Sequence, residues 1–299
     1  MIKKEGRLIM WVKEVDISSP YDFNRVLGRL SLDPLNQADV EAKTVKIPLY
    51  IDDERTIATV RSIGTINHPS FIISGEQSAL QDEVMKIINH LFQWNVPLKK
   101  IADHFKQTNL NKLFEEHRGT PLVLDFNLYG CLMKCIIHQQ LNLKFAFTLT
   151  ERFVKTFGSE VDGVWFYPSP EQIAELSYDM LRELQFSQRK AEYVIDTSRL
   201  ISEGKLNLDE LSNMPDEDVI SSLVKIRGIG PWTAQNVLLF GLGRKNLFPK
   251  ADIGIQNALK KYFSLDDKPT KDEMDELSEK WAPYLSYASL YLWRSIENS

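Results

Sequence analysis

A single carboxylate, Asp252, ends a long stretch in which every charge is positive. From Val219 to Ala251 the chain carries Lys225, Arg227, Arg244, Lys245 and Lys250 and no acidic residue. An Asp in front of an apolar-periodic run, here Ile253, Ile255, Ala258 and Leu259, first reads as a helix N-cap. Capping does not exclude chemistry, because helix N–H groups that hold a carboxylate also keep it ionised and aimed. So held, it can stabilise positive charge developing on a substrate or activate a water. Upstream, Arg227-Gly228-Ile229-Gly230-Pro231 separates two runs of helical periodicity: Val219, Ile220, Leu223, Val224 and Ile226, then Ala234, Val237, Leu238 and Gly241. A linker this short is a tight hairpin. Gly228 and Gly230 permit positive φ and leave the backbone uncovered, and Pro231 suits the first position of the second helix. Free N–H groups at such a turn form an anion site that fits a phosphate.

I-R-G-I-G-P-W-T-A at 226–234, followed by P-K-A-D at 249–252, resembles the helix-hairpin-helix DNA glycosylase superfamily, in its 3-methyladenine-DNA glycosylase II branch. The resemblance extends loosely over most of the chain. It implies a mostly α protein with a smaller N-terminal α/β domain. It also implies a monofunctional DNA glycosylase that flips alkylated bases of the 3-methyladenine type out of duplex DNA and excises them by hydrolysis, in base excision repair. Asp252 then matches the essential acid. N-glycosidic cleavage leaves positive charge on the deoxyribose, and a carboxylate about 4 Å away stabilises it by ~4 kcal/mol at an effective dielectric of about 20, roughly a thousandfold in rate.

Trp232 stands where bifunctional members carry a Schiff-base Lys, so water rather than an amine is the expected nucleophile. Trp293, in Ser286-Tyr287-Ala288-Ser289-Leu290-Tyr291-Leu292-Trp293, matches a second aromatic wall of the base pocket, with Tyr287 a further candidate. Ring faces attract cations by ~0.5–2 kcal/mol, which suits positively charged methylated purines. Leu141 matches the wedge that fills the hole left by a flipped nucleotide, and Gln140 beside it would meet the opposite base. Amides near Gly228, Gly230 and Thr233, with the Thr233 hydroxyl, would hold a phosphate, and carbonyls of Val224, Ile226 and Ile229 would bind a monovalent cation bridging to DNA. No cofactor and no catalytic metal are expected. Two residues depart from the family pattern: Asn236 replaces a Tyr, and Arg29 stands where an aromatic can enter the pocket. Rival readings are an oxidised-purine glycosylase/lyase, which Trp232 disfavours, and a helix-hairpin-helix DNA binder without catalysis, which has no need of Asp252.

The rest of the chain bounds these readings. With 299 residues, 43% hydrophobic and 26% charged, it can bury a sizeable core over two or three domains. Cys131 and Cys135 supply neither a disulfide framework nor a four-ligand metal or iron–sulfur site, and read as buried thiols in a reducing compartment. No apolar run approaches a membrane span. The net charge of −5 argues against non-specific coating of nucleic acid, but it is unevenly spread. Asp266 to Lys280 holds seven Asp/Glu against three Lys, whereas 126–158 and 219–251 are net positive. A monomer acting on damaged duplex DNA in the cytoplasm, on the nucleoid in a bacterium, is expected.

Positioning falls to two regions. Residues 1–76 read as an antiparallel sheet domain: a strand at Leu8 to Val12, a helix at Tyr21 to Leu32, and strands at Val45 to Ile51, Arg55 to Ile63 and Phe71 to Ser74, with turn signals at Asp52-Asp53 and Asn67-His68-Pro69. Residues 77–299 read as helix throughout, with the helix-hairpin-helix at 215–241. Helices are expected at Gln77 to Trp94, Leu98 to Gln107, Asp125 to Leu141, Lys144 to Phe157, Pro170 to Leu176, Asp179 to Leu184, Gln188 to Glu203, Pro215 to Ile226, Asp252 to Phe263 and Lys271 to Ile296. A polar connection is expected over Asn111 to Thr120.

Overall fold

The computed structural model describes residues 2–4, 7–9, 11–52 and 54–297. The chain opens with an antiparallel pair, β1 (Ile2–Lys4) and β2 (Arg7–Ile9), followed by β3 (Trp11–Asp16). The strand expected at 8–12 is thus divided between β2 and β3, and its Met10 lies outside the described residues. Helix α1 (Phe23–Leu30) starts two residues later than its periodicity suggests, because Asp22 caps it by accepting the N–H groups of Asn24 and Arg25. Next come β4 (Gln37–Asp39), β5 (Thr44–Ile51), β6 (Glu54–Ser62) and β7 (Ser70–Gly75), in an antiparallel sheet of order β3-β7-β6-β5-β4. The unexpected β4 is three residues of polar edge strand, too short to show alternation. On β5 the buried Val45, Ile47, Leu49 and Ile51 mark the inner face at period two.

After a single 3₁₀ turn at Ser78–Leu80 the chain forms α2 (Gln81–Leu91), α3 (Leu98–Phe105) and α4 (Asn111–Glu116). The last corrects the polar connection expected there: Glu115 and Glu116 hide an apolar turn whose Phe114 stacks between Phe105, at 3.8 Å, and Tyr291, at 4.2 Å. Helices α5 (Leu128–His138) and α6 (Leu143–Phe157) follow. Then the all-helical expectation fails, because β8 (Ser159–Val161) and β9 (Val164–Phe166) form a hairpin. Its turn, Asp162-Gly163, has positive φ at both residues, and Asp-Gly between apolar residues is a hairpin signal that helical periodicity overrode. Val164 and Phe166 are buried against Ile57 of the sheet.

Helices α7 (Pro170–Ala174), α8 (Tyr178–Glu183), α9 (Gln188–Ser202), α10 (Leu208–Leu211), α11 (Asp216–Leu223) and α12 (Pro231–Asn236) come next. The last runs into a π-helical turn at Val237–Gly241. The chain ends in α13 (Ile253–Tyr262), α14 (Lys271–Ser278) and α15 (Leu285–Glu297). The single helix expected over 271–296 is two, because Pro283 lacks the N–H a helix needs and disfavours helical backbone at Ala282.

Sheet and helices share one hydrophobic core. Phe71 of β7 stacks on Trp94 at 4.8 Å, and the Tyr21 hydroxyl donates to the Phe92 carbonyl at 2.8 Å. No helix among the described residues is long and apolar enough to cross a membrane.

Candidate active site

The start of α13 holds the site together. Asp252 caps that helix with extended backbone, and its Oδ1 accepts the Ile255 N–H at 3.0 Å. Two indoles complete its shell. Trp293 on α15 donates Nε1–H to the same Oδ1 at 2.9 Å, and Trp232 on α12 donates Nε1–H to Oδ2 at 2.8 Å. An ionised carboxylate offers about four lone-pair sites. Three are filled, so both oxygens are fixed in direction while Oδ2 keeps room for one more donor. The half-buried rings of Trp232 and Trp293 are therefore tied by their edges to the acid.

Gly254 makes this closeness possible. A Cβ at that position would lie 2.9 Å from Asp252 Oδ1 and 3.0 and 3.1 Å from Cδ1 and Nε1 of Trp293. Beyond Trp293 the aromatic row continues. Phe240, in the π-helical turn, sits 5.8 Å from Trp293 between ring centroids, and the Arg29 guanidinium lies 4.0 Å over the other end of that row, on Phe240. The extra residue of a π turn redirects side chains, and such turns recur at functional sites.

Other expected members of the site are elsewhere. Tyr287 is 0% exposed, in the core, with its hydroxyl proton retained more tightly than usual because of burial. Six residues on a helix turn it roughly 120° away from Trp293. It does not form part of an open wall. Asn236 is buried too, and its Nδ2 donates to the Trp232 carbonyl at 2.8 Å, bracing the first turn of α12.

At the hairpin, Gly228 has φ +90°, and a Cβ there would run into the Tyr193 ring at 2.2 Å. Gly230 differs from expectation: its φ is −99°, open to any residue, and nothing lies within 4 Å of its would-be Cβ. Thr233 is 1% exposed, and its Oγ1 accepts from Gln139, so the hydroxyl expected to hold phosphate is turned inward. The Ile226 carbonyl already accepts the Ile229 N–H at 3.0 Å, closing the turn. Arg227 lies over Tyr193 and pairs with Glu192 at 2.5 Å.

The turn between α5 and α6 is bound to this hairpin. Gln139 Nε2 donates to the Gly228 carbonyl at 2.9 Å and to Thr233 Oγ1 at 2.8 Å. Lys190, on α9, donates to the carbonyls of Ile137 at 2.6 Å and Gln139 at 2.8 Å, closing the end of α5. Burial lowers its pKa to about 8. Gln140 is exposed at the tip with φ +57°. Leu141 is half-buried against the core, and the more exposed apolar side chain of the turn is Leu143, at 56%. Asn142 caps α6 by accepting the Phe145 N–H at 2.9 Å.

Lys190, Tyr193, Phe240 and Gly254 escaped sequence reasoning, which also passed over Gln139 as a mere neighbour of Leu141. Gly254 alone had a visible cue, a glycine two residues past the acid that caps its helix. Cys131 and Cys135 are free and buried, and the described residues contain no cluster of metal-ligating side chains.

A family model described as HhH-GPD superfamily base excision DNA repair protein matches residues 133–283. YfjP of Bacillus subtilis (strain 168), whose name assigns it provisionally as a DNA-3-methyladenine glycosylase, is 61% identical over 289 residues, 96% of this chain and 100% of its own. A second protein of that strain, named DNA-3-methyladenine glycosylase, is 31% identical over 287 residues, 92% of this chain and 93% of its own. Among solved structures, 3-methyladenine DNA-glycosylase from Archaeoglobus fulgidus superposes with a TM-score of 0.82 at 21% identity, over 95% of this chain and 98% of that one, a likeness of fold.

Proposed function

The chain belongs to the HhH-GPD superfamily of base excision DNA repair proteins, and from that premise we propose that it is a monofunctional DNA glycosylase. It flips alkylated bases of the 3-methyladenine type out of duplex DNA and hydrolyses their N-glycosidic bonds. The observation that carries this reading is a carboxylate gripped by two indole N–H groups, with a Trp where lyase chemistry would need an amine. Asp252 faces the deoxyribose and stabilises its developing positive charge, while the free lone pair on Oδ2 orients the attacking water. Trp232 and Trp293 hold the carboxylate still, so little reorganisation accompanies reaction, and their faces border the base. Lys250, two residues before Asp252, is paired with Asp275 and supplies no nucleophile. On this reading a monomer meets damaged duplex DNA in the cytoplasm, on the nucleoid in a bacterium. The amides of Gly228 and Gly230 grip a phosphate there, the Val224, Ile226 and Ile229 carbonyls bind a monovalent cation, and the Gln140–Leu143 turn enters the stack.

Incubated with methylated duplex DNA, the protein should release free 3-methyladenine or 7-methylguanine. The strands should stay intact until alkali or heat is applied, and borohydride should trap no protein–DNA adduct. Release of 8-oxoguanine alone, or a trapped adduct, would overturn the reading.

The two hairpin glycines should separate fold from binding. Gly228→Ala forces a side chain into left-handed backbone and the Tyr193 ring, and should cost about 1–3 kcal/mol of stability in a denaturant melt. Gly230→Ala should leave the melt unchanged but weaken binding to damaged and undamaged duplex alike, because phosphate contacts carry no sequence information. Unchanged affinity in Gly230→Ala would remove that turn from the interface.

A further inference from the structure

The row of groups that begins at Asp252 ends on a charge that glycosidic cleavage does not require. Trp293 is bonded to the acid, Phe240 lies beside Trp293, and the Arg29 guanidinium covers Phe240 from α1, on the sheet side of the molecule. Among the described residues no carbonyl or side chain accepts a hydrogen bond from that guanidinium, although it is half-buried and carries five N–H donors. Asp125 feels its charge: burial pushes that carboxyl up, but Lys134 and Arg29 together hold it below its ordinary range. Lys134 is the group that bonds Asp125, at 2.5 Å. Among the described residues the Arg29 donors are left unspent, at the far end of an aromatic surface.

We propose that Arg29 reads the flipped base, donating hydrogen bonds to acceptors on its edge and favouring neutral lesions such as hypoxanthine and ethenoadenine over positively charged methylated purines. The inference rests on the glycosylase reading above and concerns which bases that site prefers. A sugar placed at Asp252 sends its base along Trp293 and Phe240, toward the guanidinium. A ring carbonyl or unprotonated ring nitrogen there gains a charge-assisted hydrogen bond. A cationic base gains the same ring faces but meets a fixed positive charge that already occupies one of them. Arg29 thus opposes the attraction of the two tryptophans for cations and shifts the balance toward neutral bases.

The test compares single-turnover release of hypoxanthine and ethenoadenine from defined duplexes with release of 7-methylguanine and 3-methyladenine from methylated duplex. Arg29→Met keeps an unbranched apolar side chain while removing the charge and donors that lie over Phe240. It should lower the neutral-to-cationic ratio about tenfold, the effect of losing one hydrogen bond to a charged group. Arg29→Lys keeps the charge without the planar fork and should lower the ratio less. It carries the test if Arg29→Met fails to fold, as judged by its melt. A ratio within about twofold of wild type in the folded variants, or a parallel fall of both classes, assigns Arg29 to packing and overturns the proposal. A wild type that releases bases while the ratio stays fixed overturns only the role of Arg29. A wild type that releases none of these bases overturns the glycosylase reading, and this inference with it.

Discussion

Asp252→Asn should abolish excision of a stable, neutral lesion while the protein stays folded and binds duplex DNA. The carboxylate is asked for about a thousandfold in rate through its charge, and the amide keeps the shape while removing that charge. Asn caps helices about as well as Asp, so the bond from the Ile255 N–H can persist. The amide cannot serve both indoles, however. With its oxygen on Ile255 and Trp293, its NH2 would face Trp232 Nε1–H, donor against donor. That conflict should cost about 1–3 kcal/mol of stability and makes a control necessary. Trp232→Phe removes the second donor, so a double variant Asp252→Asn, Trp232→Phe relieves the conflict without restoring the charge. Excision from a hypoxanthine duplex should be lost in both variants, provided the wild type acts on it. Charged lesions with labile bonds can retain some turnover and are the wrong substrate for this test. DNA affinity should hold or rise, since removing a negative charge lowers repulsion of the DNA phosphates. A near wild-type rate in Asp252→Asn would reduce the carboxylate to a helix cap and refute the mechanism.

The second large effect is expected at Gly254, a residue that bears no chemistry of its own. Gly254→Ala places a methyl group 2.9 Å from Asp252 Oδ1 and about as near to the Trp293 indole, so the carboxylate must turn or the indole retreat. Misplacing a reacting group by about 1 Å can cost ~100-fold, so kcat should fall roughly 10- to 100-fold with KM little changed. Stability should change little. Ala is favoured over Gly inside a helix by about 1 kcal/mol, which offsets a weakened hydrogen bond of similar size. The melt should therefore stay within about 1 kcal/mol of wild type while turnover collapses. A wild-type kcat would show that the carboxylate has slack. Equal losses of rate and stability would make Gly254 a packing residue only.

Legibility followed the range of the interaction. The Asp252 cap and the positive-φ turn at Gly228 rest on contacts within a few residues, and they are found where the residue pattern placed them. Expectations failed where local signals competed or a distant partner intervened. Helical periodicity hid the Asp162-Gly163 hairpin and the break at Pro283. Gly230 looked like Gly228 in sequence, yet only Gly228 has Tyr193 packed on it. Tyr287 and Thr233 look available in a linear reading, but the helices that carry them turn both inward.

The sequence by itself determined that a helix-capping acid follows a glycine hairpin in a basic stretch, and that Trp232 stands two residues past the second hairpin glycine. These are matters of residue type and short spacing. Only the tertiary structure decided what surrounds the acid. The clamp brings Trp232 and Trp293 to Asp252 across 20 and 41 residues, and Gln139 reaches Thr233 across 94. Arg29 comes to Phe240 from the opposite end of the chain. Each of these contacts joins separate elements whose relative placement is set by burial in one shared core. Apolar burial is roughly proportional to area and non-directional, so no local pattern announces which side chains it will bring face to face.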